Sequence, residues 1–481
     1  MLLKALLRPR FAAALAVCAM GSLVVCALRV AHADGEATAV AEDEPVVDAA
    51  SLVQSALLSG PGFGVDPHVE LRGYMAHFTL DTPVGPLKAD SVEVLAEREA
   101  ELPAIDALER VTRSDAFAHA ASDKFVATGK ALGKIVMHPI DTIVGIPAGV
   151  ARYFGDRLKK IGTQAQTASD RVARTLGTSG NPYPSDDGPM TDARNGDDGD
   201  EKKQKPTKHW YTRVESETER EIKRQLKYSD VKRSLAKQLG IDPYSGNPYV
   251  QDRLSSLAWV GTGGNFSATA ALGTIGGTGA VVLSDTSRIN DVVWKLSPDD
   301  LRARNGNRLH AYCRDELLIR QFLRRGVFSP TLQTGLVDAL DQLLPADGAD
   351  ALLELGMTAH SELESRFLVN ALRITAKYLG ARAKGGTLRP IGAGLAYMAA
   401  DGELIMPLPV DYLSWTAEVR EFFDRREFRV TNKTVLIGGG ASLLARRALT
   451  ERGWNIVVRA PWPGAPAYAA FDEPMSDEEP Q

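Results

Sequence analysis

Cysteine and histidine are scarce in this chain of 481 residues, which holds three cysteines and eight histidines. No Cys-x-x-Cys pair occurs, and His360 lacks the second histidine that a zinc-binding helix requires. The sequence therefore predicts no metal site and no cofactor. Cys18 and Cys26 lie near the N-terminus and each follows a valine, which disfavours a lipoprotein signal. Cys313 is expected to be a buried apolar residue.

A strong excess of one charge is also missing, since 56 lysines and arginines face 61 acidic residues and give a net charge of -5. This balance argues against a nucleic-acid partner. The hydrophobic share of 44% is sufficient for ordinary cores, and the length predicts two or three domains. No internal repeat is present.

The first 33 residues show the three regions of a secretory signal peptide. Basic residues come first, an uncharged apolar run from Phe11 to Leu28 follows, and Ala31 and Ala33 fit a cleavage site before Asp34. We therefore expect a periplasmic or secreted protein. The apolar run also approaches the roughly 20 residues that span a bilayer, so an uncleaved anchor in the inner membrane is the alternative.

Composition divides the rest of the chain into segments. Residues 177–208 are rich in Gly, Ser, Pro, Asp and Lys, which predicts a disordered, flexible linker and the clearest domain boundary. The other predicted segments are an acidic leader without folded structure at 34–50, a small α+β module at 51–122, basic amphipathic helices at 123–176, a mainly helical module at 209–465 and an acidic tail at 466–481.

The predicted fold class is α+β, predominantly helical, with small β-hairpin elements in both modules. Alternating apolar residues between 71 and 96 predict strands, and residues 97–117 are predicted to form a helix. The second module is predicted to contain a helical block at 298–383, whose helices at Ser297-Pro298 and Ser329-Pro330 begin with a capping hydroxyl before a proline.

The C-terminal third contains the predicted strands of the second module. The dipeptide Asp401-Gly402 predicts a hairpin turn. A strand at Thr434 to Ile437, a turn at Gly438-Gly439-Gly440, a helix to Arg452 and a short strand complete a terminal strand-helix-strand unit.

The triple-glycine turn is the strongest local signal for chemistry. A glycine turn that opens a helix can hold pyrophosphate through its N–H groups, but Leu443 occupies the third position of that fingerprint. Ser442 resembles the start of a nucleophile elbow, but Leu444 replaces the closing glycine and no histidine follows His360. We therefore predict a structural turn and assign no catalytic or cofactor-binding residue.

Two segments raise the question of membrane contact. Residues 148–161 have the pattern of a basic amphipathic helix, which either lies on anionic lipid or packs on its own domain. The uncharged run 254–284 is predicted to form a tightly packed hairpin, with membrane insertion or a mobile loop as alternatives. The residues assigned to the membrane-contact hypothesis are Val150, Arg152, Phe154, Leu158, Lys159 and Lys160.

Several passages resemble an uncharacterised family of exported bacterial envelope proteins with no known activity. The resemblance implies no functional residue. The passages that carry it are His138 to Pro147, Leu239 to Tyr244 with Leu257-Ala258-Trp259, Pro407 to Leu413 and Leu449 to Trp454.

Together these patterns predict an exported envelope protein of unknown activity, a non-catalytic binding or structural protein whose partner is an unknown protein, an envelope component or an anionic membrane surface. A hydrolase of envelope polymers is the first alternative and requires a cleft with converging acidic or histidine side chains. A membrane-active protein is the second.

Overall fold

The structure is a computed structural model that describes residues 41–128, 150–154, 227–262, 267–274 and 291–469. The predicted signal peptide and linker lie outside the described residues. In the described part, two hydrophobic cores with three β-sheets and fourteen α-helical segments are found.

The N-terminal sheet has six strands, all paired antiparallel, in the order β1-β4-β5-β3-β2 with β6 added to β5. Its strands are β1 (Val46–Asp48), β2 (Ser59–Gly60), β3 (Phe63–Val65), β4 (His68–Arg72), β5 (Met75–Asp81) and β6 (Leu87–Ala89). Alternation along β4, where Val69 and Leu71 are buried between exposed neighbours, shows why this sequence forms a strand with one face on the core.

The C-terminal sheet has five strands in the order β13-β11-β9-β8-β7, with β11 parallel to both of its neighbours and the other pairs antiparallel. A third sheet joins β10 and β12 in parallel. The strands are β7 (Thr387–Ile391), β8 (Gly394–Met398), β9 (Leu404–Leu408), β10 (Tyr412–Leu413), β11 (Lys433–Ile437), β12 (Gly440–Ala441) and β13 (Asn455–Val457).

In the described residues the helices lie between the strands along the chain, and most of them lie between β6 and β7. In the N-terminal and central parts they are α1 (Ala49–Leu52), α2 (Val92–Thr112), α3 (Asp115–Thr128), α4 (residues 227–239), α5 (Pro248–Gly261), α6 (Ala268–Thr274) and α7 (Asp291–Lys295). In the C-terminal part they are α8 (Pro298–Leu309), α9 (Glu316–Phe322), α10 (Pro330–Leu343), α11 (Ala349–Met357), α12 (Glu362–Leu379), α13 (Ala417–Phe423) and α14 (Leu443–Glu451).

The α+β class agrees with the structure, but the prediction of a predominantly helical fold with only small hairpins is wrong. The six-stranded and five-stranded sheets overturn it. Most of their strands have five residues or fewer. Strands β9 and β11 pair although 24 residues of the chain separate the end of β9 at Leu408 from the start of β11 at Lys433. Such pairings leave little trace in the local sequence pattern.

The two hydrophobic cores draw on distant parts of the chain. One contains side chains from residues 49–121 and from 228–272. The other contains side chains mainly from 309–462, together with Tyr74 and Val150. The apolar side chains of residues 228–272 pack against the N-terminal sheet and α2. The domain boundaries that composition indicates stay predictions.

Parts of the acidic leader and of the uncharged run are among the described residues. Residues 41–50 of the acidic leader are folded: Val46–Asp48 forms β1, and the Glu42 carboxylate accepts a hydrogen bond from the Trp415 amide at 2.5 Å. In the uncharged run, the described parts are helical, since α5 ends at Gly261 and α6 follows, and the packed hairpin stays a prediction.

Candidate functional site

A cavity of about 300 Å³ lies where α2, the turn that follows α4, the start of α10, α12 and the C-terminal segment meet. This volume is at the lower end of the range of small-molecule sites. Its wall contains five carboxyl groups and two guanidinium groups, which belong to Glu93, Glu97, Glu99, Glu101, Asp242, Arg366 and Arg373.

Helix α2 supplies four of these carboxylates. Ser91 caps the helix by accepting a hydrogen bond from the Val94 amide at 3.0 Å. Glu93, Glu97 and Glu101 follow at intervals of four residues and share one face. Like charges at this spacing repel each other, so the face is stable only with compensating cations.

Arg366 of α12 is the main compensating cation. Its guanidinium lies 2.6 Å from the Glu97 carboxylate, 2.6 Å from that of Glu362 and 3.4 Å from that of Glu93. Burial opposes the charge of Arg366, but these carboxylates hold its pKa well above the ordinary value. Asn370, one turn along α12, donates to Glu93 at 2.5 Å. This network fixes α2 against α12.

Glu101 has a separate set of partners. Its carboxylate accepts hydrogen bonds from Arg98 at 3.2 Å, from Asn247 at 2.7 Å and from the Ser245 hydroxyl. Burial raises the pKa of Glu101, and these contacts act against that shift. The turn that carries Ser245 and Asn247 therefore anchors to α2, which places Asp242 at the cavity wall.

Asp242 is an acid of the cavity wall whose pKa is strongly raised. One oxygen, Oδ1, accepts hydrogen bonds from the Thr331 hydroxyl and the Tyr244 amide, both at 2.8 Å. The other, Oδ2, makes no hydrogen bond to a described residue. Burial raises the pKa of Asp242 to about 7, with a further contribution from the negative charge of Glu97. Asp242 therefore exchanges its proton near neutral pH.

Glu99 is the second carboxylate of the wall with spare capacity. It is half-buried, and the described residues give it neither a hydrogen bond nor an ion pair. Burial raises the pKa of Glu99. Glu99 is therefore a partly solvated carboxylate in the wall of a partly open cavity.

The membrane-contact residues occupy different places. Val150 and Phe154 are buried in the C-terminal core. Val150 lies just before the 3-10 turn Ala151–Phe154, and Phe154 is its last residue. Arg152, in the same turn, forms an ion pair with Glu364. The other three, Leu158, Lys159 and Lys160, lie outside the described residues. Membrane contact stays a prediction. Among the described residues, no helix combines the length and apolarity that crossing a bilayer requires.

The triple-glycine turn uses its N–H groups within the protein. Gly438, Gly439 and Gly440 donate to the carbonyls of Leu408, Val410 and Asp411 at 2.8 to 2.9 Å. No N–H of the three remains to hold a phosphate. The backbone of this turn packs so closely on the segment around Asp411 that a side chain has no room: a Cβ on Gly439 would overlap the Asp411 carbonyl.

Ser442 and Cys313 also have structural roles. The Ser442 hydroxyl accepts from the Ala445 amide at 2.9 Å and donates to Glu42, so it caps α14. Cys313 is buried, as the sequence predicts, and burial raises the pKa of its thiol to about 12. Within the described ranges, no three His, Cys, Asp or Glu side chains are grouped to hold a metal ion.

No protein-family model matches this chain, no curated protein is significantly similar to it, and no solved structure matches its fold. The resemblance to exported envelope proteins therefore stays a prediction.

Sequence reasoning did not identify the acidic cavity. The sequence contains one signal for it, the four-residue spacing of the glutamates at 93, 97 and 101, where a predicted strand is followed by a predicted helix. The sequence pattern predicts that the helix begins at residue 97, so Glu93 falls in a predicted strand and the shared face of the three glutamates is not recognised.

Proposed function

We propose that this chain is an exported protein that binds a small molecule in the cavity between α2, α10 and α12. The observation that carries the proposal is a partly open cavity of about 300 Å³ whose wall combines apolar side chains, buried charged ones and two acids, Asp242 and Glu99, that have no ion-pair partner among the described residues. A concave, largely apolar space with a few polar groups in its wall is the usual form of a small-molecule site.

The walls of the cavity support a pre-formed site. Arg366 and Glu101 each tie α2 to another element through buried charged contacts, so the walls are held without a ligand. A pre-formed site avoids the ordering cost that weakens binding by a flexible one.

Thermal unfolding of the mature chain in the presence of pooled small molecules tests this proposal. A compound that binds the folded state raises the melting temperature in proportion to RT ln(1 + [L]/Kd). We expect at least one pool of neutral, anionic or cationic compounds to raise the melting temperature. The substitution Ala96→Phe, which fills the cavity, should remove this increase. If no pool shifts the melting temperature, or if Ala96→Phe changes none of the shifts, the cavity is not a ligand site.

Export rests on the three regions of the N-terminal segment. Cell fractionation with intact-mass measurement tests it. We expect a periplasmic or secreted species that begins at Asp34. A full-length species recovered with the membrane supports the anchored alternative, and a full-length species in the cytosol contradicts export.

A hydrolase of envelope polymers is the second candidate. Asp242, whose pKa is about 7, has the protonation behaviour of a general acid and shares its cavity with Glu97. Release of new reducing ends from purified envelope polysaccharide, and its loss in Asp242→Asn, would support hydrolysis. Absence of release at protein concentrations that saturate the substrate would contradict it.

A further inference from the structure

The start of helix α14 presents a positively charged surface that also exposes a leucine. Leu443, Arg446 and Arg447 are three and four residues apart and therefore lie on the same side of the helix. Leu443 is 70% exposed, the highest value among the exposed large apolar side chains of the described residues. Arg459, which follows β13, lies close to Arg446: burial, and then the charge of Arg446, lower the pKa of Arg459. These four residues are called the α14 face below.

Arg446 and Arg447 lack an anionic partner. Neither guanidinium forms a hydrogen bond or an ion pair with a described residue. The Nε of Arg446 is buried, and among the described residues no acceptor reaches it. A buried donor without an acceptor and two cations placed close together both cost free energy, and an anionic group on this face would offset both.

Glu42 is the acid that the described contacts place at the start of α14. Its carboxylate already accepts hydrogen bonds from the Ser442 hydroxyl and the Trp415 amide. Its one negative charge does not balance the two positive charges of Arg446 and Arg447. The face therefore favours an anionic occupant.

The last twelve residues of the chain have the complementary composition. Residues 470–481, which lie outside the described residues, contain five acidic side chains and no lysine, arginine or histidine. They also contain Phe471 and Met475. Carboxylates beside apolar side chains match a surface that combines guanidinium groups with an exposed leucine.

The segment also starts within reach of the α14 face. The described chain ends one residue after Tyr468, whose hydroxyl donates to Asp411 at 2.9 Å. The Asp411 carbonyl accepts from the Gly440 amide, and the Gly439 carbonyl accepts from the Arg459 amide. These contacts lead from the end of the described chain to the α14 face, and twelve residues span up to about 40 Å.

We propose that residues 470–481 dock on the α14 face, with carboxylates on Arg446 and Arg447 and an apolar side chain over Leu443. The docking is intramolecular, so the tether provides a high effective concentration and a weak contact suffices. The docked segment shields the face from other anionic partners. This inference does not depend on the cavity.

Double electron–electron resonance on the full mature chain tests the docking. Spin labels at Glu451→Cys, the last residue of α14, and at Ser476→Cys report their separation. Cys313 is buried and should not take up label. Positions 446 and 451 are about 8 Å apart along the helix, so docking predicts a narrow distance distribution centred below about 30 Å.

Charge reversal of the face should release the segment. Arg446→Glu with Arg447→Glu should broaden the distance distribution about twofold or more, because the face then repels the segment. Neither side chain has a partner among the described residues, so this variant should fold. Adding Glu478→Arg with Glu479→Arg should narrow the distribution again, because the exchanged charges attract each other.

Lys384→Glu with Arg389→Glu is the matched control. It makes the same change in net charge at two exposed side chains, and Arg389 lies in β7, at the opposite edge of the C-terminal sheet from β13. The distance distribution should stay unchanged. Equal broadening in the control would overturn the inference, because the segment would then respond to net charge alone.

Two other occupants are distinguished by the same samples. A broad distribution in the parent chain overturns the docking, and co-sedimentation with phosphatidylglycerol vesicles that Arg446→Glu with Arg447→Glu abolishes would then assign the face to a membrane surface. A narrow distribution that disappears when labelled chain is diluted with unlabelled chain arises between two copies and also overturns the inference.

Discussion

Asp411 is the buried carboxylate that joins the N-terminal sheet to the C-terminal part of the fold. Its Oδ2 accepts hydrogen bonds from the Ala76 amide at 3.0 Å and the Val92 amide at 3.1 Å, and its Oδ1 accepts from the Tyr468 hydroxyl at 2.9 Å. Burial raises the pKa of Asp411 to about 6 despite these three donors. One side chain therefore connects β5, the start of α2 and the C-terminal segment.

Replacing Asp411 by alanine leaves three buried donors without an acceptor, so we expect Asp411→Ala to lower the free energy of unfolding by at least about 3 kcal/mol. Asp411→Asn should be tolerated far better, because the amide oxygen can accept from both backbone N–H groups and its NH₂ can donate to Tyr468. Urea unfolding at pH 7 measures both. Equal losses for the two variants would contradict a role based on these hydrogen bonds.

The contacts between the cavity residues cannot be predicted from the sequence around each residue. Arg366 and Glu93 stand 273 positions apart in the chain, and nothing local to either one predicts the pair. The individual residue types are common in exposed helices, where their charges are solvated. Only the packing of α2 on α12 makes them a buried network.

At the scale of elements, the starts and turns that depend on local chemistry were predicted correctly. Ser297 and Ser329 cap α8 and α10 with a proline in the first turn, and Asp401-Gly402 connects β8 to β9. Each of these signals acts within four residues.

Elements that depend on distant partners were predicted less well. Helix α2 begins at Val92 rather than at 97, since Ser91 caps it and Asp411, far along the chain, accepts from the Val92 amide. The described part of 148–161 contains only a 3-10 turn, because Tyr153 and Phe154 pack into the core.

The close packing of the triple-glycine turn predicts that a side chain at position 439 destabilises the fold. Glycine at 439 is required by close contact with the Asp411 backbone, so Gly439→Ala must displace either β11 or the segment before β10. We expect a loss of about 2 kcal/mol or more in unfolding free energy, which is typical of overpacking. Urea denaturation measures it.

Gly64→Ala is the matched control for this substitution. Gly64 lies in β3, and a Cβ there would meet no atom within 4 Å. A change of about 0.5 kcal/mol or less is expected. If Gly439→Ala is as mild as Gly64→Ala, the turn tolerates a side chain and its glycines need another explanation.

At the scale of the whole molecule, buried acids connect parts of the fold that are far apart in sequence. Glu93 and Glu97 bind α12, Glu101 binds the turn after α4, and Asp411 binds the N-terminal sheet. Buried ion pairs contribute little net stability, but they cost several kcal/mol when one partner is removed. The charges therefore fix how the elements meet, while the two apolar cores supply most of the stability.

These buried acids give the stability of the whole chain a defined pH dependence. The pKa is about 7 for Asp242 and about 6 for Asp411 in the folded chain, against about 3.9 for an unfolded aspartate. Between these values the folded chain binds more protons than the unfolded chain. The stabilisation that protonation provides is fully present below about pH 4 and is lost as the pH rises through 6 and 7.

We therefore expect the free energy of unfolding to fall by on the order of 2–4 kcal/mol per group between pH 4 and pH 8. Glu403 and Asp90 have lowered pKa values, so their stabilising effect is lost only at more acidic pH and does not mask the trend above pH 5. Urea unfolding at pH 5, 6, 7 and 8 measures the slope. The double variant Asp242→Asn with Asp411→Asn should flatten the curve, and an equal slope in the variant would show that other groups control it.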